Sequence, residues 1–425
     1  MNIGDSELMA GALAGRGYLA VDDPAAADVI VVNTCAIREH AETRVIGRIG
    51  ELQRHRRDRP DLVLAVTGCM AQRLGPELLE RTTGVDLVAG PDSYRSLGAL
   101  VDEIRFGDLP RGQLLLEMDG SENYEGVAAI RRAGVSAWVT VQRGCDHRCT
   151  FCIVPYVRGP EKNRSPEAVL GEVRSAVDDG FSEVTLLGQT VNSYRFGDST
   201  FSDLLRDVAR VDGIRRVRFT SPHPNDVTDD LIEVMATEPA VCPQLHLPAQ
   251  SGSDRVLRRM VRRYTVARFL DTVRRVRDGI PGVALSTDVI VGFPGETAED
   301  FEATLDLMRA VRFDDAFLYR YSLRDGTPAT RLPPEDFVDK EIAGHRLERL
   351  IEVHRQIQRE INEAELGSVQ EVLVERRARS PGDVLGRTPT GKVVAFRGPE
   401  DWLNTYRTVR LTGTSGPTFQ GEVQR

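Results

Sequence analysis

Three thiols stand close together in Gly144-Cys145-Asp146-His147-Arg148-Cys149-Thr150-Phe151-Cys152, spaced C-x3-C-x2-C. A loop that short can turn three sulfurs onto one point, as a metal ion or an iron–sulfur cube requires. Thiolates favour zinc and iron–sulfur centres. A 4Fe-4S cluster usually takes four cysteines, so three local ligands leave one iron open, and an open position is where a bound metal does chemistry. Three unconnected buried thiols would need no metal, but clustered cysteines outside a disulfide scaffold point to metal binding or catalysis. Zinc is the stronger rival, yet it would need a fourth ligand, and the turn should point His147 away.

The elements around this loop read as a partial barrel. Six β-like runs are expected at 136–141, 183–188, 216–220, 244–247, 284–291 and 315–321. Helical stretches follow them at 166–179, 202–211, 229–237, 253–278, 297–310 and 340–364. Six βα units make a barrel left open where eight would close it, with the active site at the carboxyl ends of the strands. The cysteine loop, Gln189, Ser221-Pro222-His223, Pro248-Ala249-Gln250 and Gly292-Phe293-Pro294-Gly295 all fall at those ends. Each has a plainer role available: the glycines as a turn, Gln250 and Ser251 as a helix cap, His223 as a rigid polar contact. Cys242 precedes its strand, so it belongs to the core at the opposite end.

Ahead of the barrel, runs at 28–32, 62–66 and 85–88 alternate with helical stretches at about 36–55 and 72–83, after an opening helix capped by Asp5 and Ser6. That alternation implies an open parallel sheet with ligands outside the carboxyl ends of its strands. Cys35 and Cys69 follow two of those strands at equivalent positions, either as small buried hydrophobes or as a shared site. After the barrel, runs at 369–375, 392–396, 406–411 and 419–423 with Gly/Pro/Ser turns suggest a small β-barrel. The expected organisation is residues 1–95, a linker at 96–133, the barrel at 134–366 and the small β-barrel at 367–425.

Composition sets outer bounds. The chain has 425 residues, 28% charged and 41% hydrophobic, ordinary for a soluble protein of two or three domains. Its apolar runs fall short of a membrane span and no charged-then-apolar leader opens it, so a cytoplasmic protein is expected. The net charge of −9 excludes blanket affinity for nucleic acid. Residues 367–425 carry nine Lys/Arg and six Asp/Glu, a local surplus of positive charge on an acidic chain. Arg376, Arg377 and Arg379 are the candidate RNA contacts there.

The cysteine motif, with an aromatic residue before its last thiol, resembles the signature of radical S-adenosylmethionine (radical SAM) enzymes. Gly144–Arg158, Gly188–Tyr194, Phe219–Pro224, Leu245–Ser253 and Asp288–Glu296 narrow the resemblance to the methylthiotransferases. It is nearest the MiaB-type branch, which modifies isopentenyladenosine in tRNA. The resemblance spans essentially the whole chain. It implies a radical SAM barrel, a 4Fe-4S cluster on Cys145, Cys149 and Cys152, and SAM held near Phe151, Gly292 and Gly295, with Gln189 and Gln250 as further contacts. It also implies an auxiliary 4Fe-4S cluster on Cys35, Cys69 and a third cysteine, and a carboxy-terminal TRAM domain holding tRNA. The implied partners are an electron donor such as flavodoxin or ferredoxin, with the enzyme itself a monomer.

The chain departs from the family in one place. The third auxiliary cysteine should stand in a Gly-Cys-Gln-Met-Asn-like word after a first strand, and this sequence opens at Met1-Asn2. A missing natural amino-terminal segment is therefore expected. The rivals are methylthiolation of threonylcarbamoyl-adenosine or of a ribosomal-protein aspartate, and an inactive RNA-binding iron–sulfur protein.

Overall fold

The computed structural model describes every residue except 36–38, 132–133 and 425. Ala36, Ile37 and Arg38, at the start of the helical stretch expected at about 36–55, therefore lie outside the described residues. The chain opens with α1 (Asn2–Ala14), β1 (Val29–Thr34), α2 (Glu39–Leu52), β2 (Val63–Gly68), α3 (Cys69–Leu74), α4 (Pro76–Arg81), β3 (Leu87–Ala89), α5 (Tyr94–Phe106) and β4 (Gln113–Leu115). The four strands pair in chain order, all parallel. Near-continuous apolar runs suit a sheet covered on both faces. Alternate residues of β2 serve opposite faces: Val63 and Ala65 pack with Leu8, Met9, Leu97 and Val101, while Leu64 and Val66 pack with Ile49, Met70 and Leu78.

Two expectations change here. Residues 96–133 are no bare linker, because most of α5 and all of β4 lie in them and belong to this sheet. Tyr94, Leu97, Val101 and Ile104 form a buried stripe at helical spacing, whereas β4, three residues long, is too short to show a period. Nor do Asp5 and Ser6 cap the first helix. It starts at Asn2, with Asp5 buried in its first turn.

The central unit contains β5 (Ser136–Thr140), α6 (Val154–Arg158), α7 (Pro166–Asp178), β6 (Glu183–Leu187), α8 (Phe201–Ala209), β7 (Arg216–Phe219), α9 (Asp229–Thr237), β8 (Gln244–His246), α10 (Asp254–Arg259), α11 (Val266–Gly279), β9 (Ala284–Val291), α12 (Ala298–Val311), β10 (Asp315–Arg320) and α13 (Lys340–Ala364). Parallel pairing runs β5–β6–β7 and β8–β9–β10, and a bridge between Val217 and Val241 joins the two halves. Among the described residues β5 and β10 do not pair, so the six strands form an open barrel, as expected. The helical stretch expected at 253–278 is two helices. Val261, at φ +57°, breaks it, and Thr265 caps the second part.

The last unit is a closed barrel of β11 (Val369–Arg377), β12 (Asp383–Arg387), β13 (Val393–Arg397), β14 (Tyr406–Ser415) and β15 (Thr418–Val423). Only β12 had no counterpart in the sequence pattern. Gly386 in its middle weakens the β signal, yet a Cβ there would come within 2.5 Å of the Leu373 carbonyl oxygen.

This small barrel sits against the amino ends of the central strands. Arg216, first residue of β7, donates to the carbonyls of Arg387 and Glu371, both at 2.7 Å. Arg218 donates to Thr388 O at 2.7 Å and Pro389 O at 2.9 Å. Lys392 pairs with Asp314 at 2.9 Å, and Arg215 lies 3.6 Å from the centre of the Tyr406 ring.

Candidate iron–sulfur and cofactor site

A short antiparallel bridge, Gln142–Arg143 against Lys162–Asn163, pinches the base of the cysteine loop. Gly144 follows with φ +76°, and a Cβ there would stand 1.9 Å from the Pro160 carbonyl oxygen. Only glycine satisfies both the backbone and the space. Farther along, Thr150 N–H donates to Met260 O at 3.1 Å, Thr150 Oγ1 donates to Arg259 O at 2.9 Å, and Ala329 N–H donates to Thr150 O at 2.9 Å. The loop is thus fixed to the α10–α11 connection and to the segment after β10.

Each thiol meets different surroundings. Cys145 Sγ lies 3.1 Å from Thr190 Oγ1. Cys149 is buried and its sulfur accepts from Arg262 Nη1 at 3.3 Å. Arg262 is held by the Tyr264 hydroxyl, 3.1 Å from its Nε, and that hydroxyl donates toward Pro248 O at 2.9 Å. Burial pushes the Cys152 thiol up to about 12, with Cys149 and Cys145 adding to the rise. All three thiols are at the barrel's carboxyl end. Among the described residues, the one trio of Cys, His, Asp or Glu ligand atoms within 4.8 Å of one another is His147, His223 and Asp226. At least one pair of the three sulfurs is therefore more than 4.8 Å apart, wider than the about 3.8 Å between sulfurs around one tetrahedral zinc with Zn–S bonds near 2.3 Å.

His147 does turn away from the thiols. Its ring stacks on His223 with centroids 4.0 Å apart and planes at 15°, and each ring has a nitrogen 3.7 Å from Asp226 Oδ2. Near-parallel stacked imidazoles cannot both aim an in-plane lone pair at one ion. Burial first, then Arg262 and His147, holds His223 down at about 2, so it is neutral.

The other expected contacts gather on the same rim. Phe151 meets Phe293 edge-on at 6.5 Å, joining the cysteine loop to the Gly292–Gly295 turn. Gly292 N–H donates to Glu296 Oε1 at 2.8 Å, and Gly295 N–H donates to Asp336 O at 2.6 Å. These glycines shape the turn, because protein acceptors already occupy their N–H groups. Gln189 Oε1 and Gln250 Oε1 are buried without a hydrogen-bond partner among the described residues. Gln250 also holds φ +66°, fixed by Gln250 N–H to Asp288 O at 2.8 Å and Ile290 N–H to Gln250 O at 2.9 Å. Two unmatched buried amide oxygens at one rim are acceptors available to a polar ligand, and they fit a bound nucleoside such as SAM.

Cys35 and Cys69 stand at the carboxyl ends of β1 and β2, beside one another in the parallel sheet. Cys69 packs with Ile153 and Val157 of the cysteine motif's own helix. Arg158, at the end of that helix, donates from Nε to Cys69 Sγ at 3.1 Å. Arg158 and Arg143 both bind the buried Asp5 carboxylate, Arg143 at 2.8 Å. Burial pushes the Asp5 carboxyl up, but Arg158 and then Arg143 outweigh it and hold it down at about 2. Burial pushes the Cys69 thiol up and Arg158 pulls it back, so the guanidinium offsets part of the cost of a thiolate there. Cys242 is buried at the amino end of β8 and takes no part. Arg376, Arg377 and Arg379 are exposed at the tip of β11, Arg377 paired with Glu400.

Sequence reasoning did not single out Arg143, Arg262 or Tyr264; it took Asp5 for a helix cap and reached Thr190 only as part of the Gly188–Tyr194 word. Arg158 had a signal, as the last residue of the quoted Gly144–Arg158 word. Arg262 had none, because its link to Cys149 spans 113 residues.

Comparisons agree with this anatomy. Residues 139–308 match the radical SAM superfamily, residues 1–90 match the uncharacterized protein family UPF0004, and residues 363–421 match the TRAM domain. A tRNA-2-methylthio-N(6)-dimethylallyladenosine synthase from Carboxydothermus hydrogenoformans is 44% identical over 97% of this chain and 94% of its own length. The protein of that name from Mycolicibacterium vanbaalenii is 45% identical over 93% of this chain and 79% of its own. The radical SAM methyltransferase TsrM from Kitasatospora setae shares the fold at 17% identity, with a TM-score of 0.60 over 77% of this chain and 72% of that one. The chain therefore belongs to the tRNA-2-methylthio-N(6)-dimethylallyladenosine synthase family, radical SAM enzymes that use a 4Fe-4S cluster and SAM.

Proposed function

We propose that this enzyme transfers a methylthio group to carbon 2 of N6-isopentenyladenosine beside the anticodon of tRNA. Carbon 2 carries an unactivated C–H bond that no side-chain base can deprotonate, so the hard step belongs to a cofactor. Bound at the rim, a cluster and SAM supply the one-electron chemistry that removes that hydrogen. The protein's part is to hold and shield. Cys145, Cys149 and Cys152 are the ligands of the first cluster, and Arg262 offsets charge at Cys149. Gln189 and Gln250 offer their unmatched oxygens to SAM, with the Gly292–Gly295 turn and Phe151 as its wall. Cys35 and Cys69 are ligands of an auxiliary cluster carrying the sulfur. The enzyme acts as a monomer, with flavodoxin or ferredoxin as electron donor, and the TRAM domain holds tRNA through Arg376, Arg377 and Arg379.

The observation that supports this reading is the bond from Arg158 to Cys69, which ties the helix after the cysteine loop to the end of β2. Mass spectrometry of nucleosides from tRNA of a deletion strain tests it. Isopentenyladenosine should accumulate without its methylthio group, and the intact gene should restore it. Unchanged methylthio-isopentenyladenosine in the deletion strain would overturn the assignment. Release of 5′-deoxyadenosine from SAM by the reduced protein separates an enzyme from a mere RNA binder.

A further inference from the structure

The small barrel and the cysteine loop are at opposite ends of the central strands. Arg216, Lys392 and Gln244 mark the amino end, where the small barrel docks. The thiols lie at the carboxyl end, about 20 Å away for a strand of six residues. A base that reacts at the thiol end must be held there, and the TRAM domain is not there to do it.

Another part of the surface is suited to that task. Residues 254–278, which form α10, α11 and their connection, hold nine arginines and three aspartates. That surplus exceeds the one in residues 367–425, on a chain whose net charge is −9. Some of these arginines are internal: Arg262 serves Cys149, Arg259 donates to Pro294 O at 2.9 Å, and Arg255 binds Asp300. Lower on α11, Arg274 and Arg275 pair with Asp271 and Asp229, and Arg277 donates to the Val311 carbonyl. Three remain. Arg258, Arg263 and Arg268 are exposed, and among the described residues their side chains enter no ion pair or hydrogen bond.

Their position is fixed by backbone contacts. The carbonyls of Arg259 and Met260 accept from Thr150 in the cysteine loop, and Asn225 Nδ2, in the loop after β7, donates to Arg263 O at 2.9 Å. Arg268 lies in the first turn of α11, beside that connection. Arg148, also exposed and unpartnered, extends the rim from within the cysteine loop. Asp146, Asp254 and Asp271 are nearby exposed acids; the first two accept from the backbone N–H groups of Glu161 and Val266, and Asp271 pairs with Arg274.

We infer that Arg258, Arg263 and Arg268 form a second RNA surface at the barrel mouth, gripping backbone phosphates of the stem-loop that presents the target base. This rests on the proposed function and adds where the substrate is held. Phosphate contacts by exposed arginines fix position without reading sequence. The rim holds the reacting loop, and the TRAM domain holds a different part of the same tRNA.

The test uses the full chain with a fluorescent anticodon stem-loop and with whole tRNA, titrated at several salt concentrations. Arg258→Ala, Arg263→Ala and Arg268→Ala combined should weaken stem-loop binding by roughly tenfold at moderate salt and flatten the log–log salt slope by about two, since each lost contact removes somewhat under one counterion. Arg376→Ala with Arg379→Ala should weaken whole-tRNA binding and leave the isolated stem-loop unaffected. Unchanged affinity and slope in the triple variant, with the parent chain binding well, overturns the rim and leaves the enzymatic assignment intact. A parent chain that binds neither RNA at low salt overturns both. A triple variant that keeps RNA binding but loses cross-linking to an acidic flavodoxin overturns the RNA assignment in favour of a donor-protein surface.

Discussion

Arg158 Nε donates to Cys69 Sγ at 3.1 Å across 89 residues of sequence. One guanidinium belongs to the cysteine motif of the barrel, and the sulfur belongs to the amino-terminal sheet. The same guanidinium binds Asp5, which is wholly buried and also held by Arg143. Arg143 in turn donates to Pro91 O at 2.9 Å and lies 4.6 Å from the centre of the Tyr124 ring. The two domains thus meet through a charged core, the kind of contact that fixes relative position more than it adds stability.

Arg158→Met should accordingly do two things. It leaves Asp5 buried with one partner fewer, a change that costs about 3 kcal/mol when a buried pair is broken. It also strips the positive charge from beside Cys69. Urea unfolding should show the stability loss. Iron analysis after anaerobic reconstitution should show depletion confined to the Cys35/Cys69 site. Full iron content and an unshifted unfolding midpoint would show the bridge to be incidental.

Replacing any one of Cys145, Cys149 and Cys152 by alanine should remove about four irons per chain and abolish 5′-deoxyadenosine release. Cys242→Ala should leave both unchanged, because that thiol is buried at the other end of the barrel. Iron lost equally from the Cys242 variant would mean the thiols have been assigned to the wrong site.

Gly144→Ala tests the loop rather than its ligands. At φ +76° with a carbonyl 1.9 Å from the new Cβ, the backbone must move. Left-handed strain alone costs on the order of 1–2 kcal/mol for a residue with a side chain. The loop should reconstitute poorly while the rest of the fold survives. Circular dichroism close to the parent with iron reduced by about half is the expected pair of results, and normal iron uptake would refute it.

Six barrel strands and the cysteine loop were legible in the sequence, because alternating βα units and C-x3-C-x2-C are local patterns. Gln189 and Gln250 could be placed at the mouth because words at strand ends fall there whatever the details of packing. The break at Val261 was not legible, since a single left-handed residue leaves no periodic trace. Strand β4, three residues long, exists through pairing with β3, which propensity cannot see. The Asp5–Arg143–Arg158 cluster was invisible for a related reason. Charged residues in helices and turns default to solvent, and only the docking of α1 on the barrel buries them.

Glu7 lies on α1, facing the Arg131–Glu172 pair of 2.6 Å, and its Oε2 is buried without a partner among the described residues. Burial raises the Glu7 carboxyl to about 7, Arg131 pulls it back, and Glu172 adds to the rise. The folded protein then binds a proton that the unfolded chain, titrating near 4.5, has already released. Between those values stability falls as pH rises, and above about 7 the loss is complete. Glu7→Gln keeps the shape and removes the charge. It should raise the melting temperature at pH 8 by about 2 °C and leave it unchanged at pH 4.5. Equal gains at both pH values would mean that the amide merely packs better, and that the carboxylate is not what opposes docking of α1.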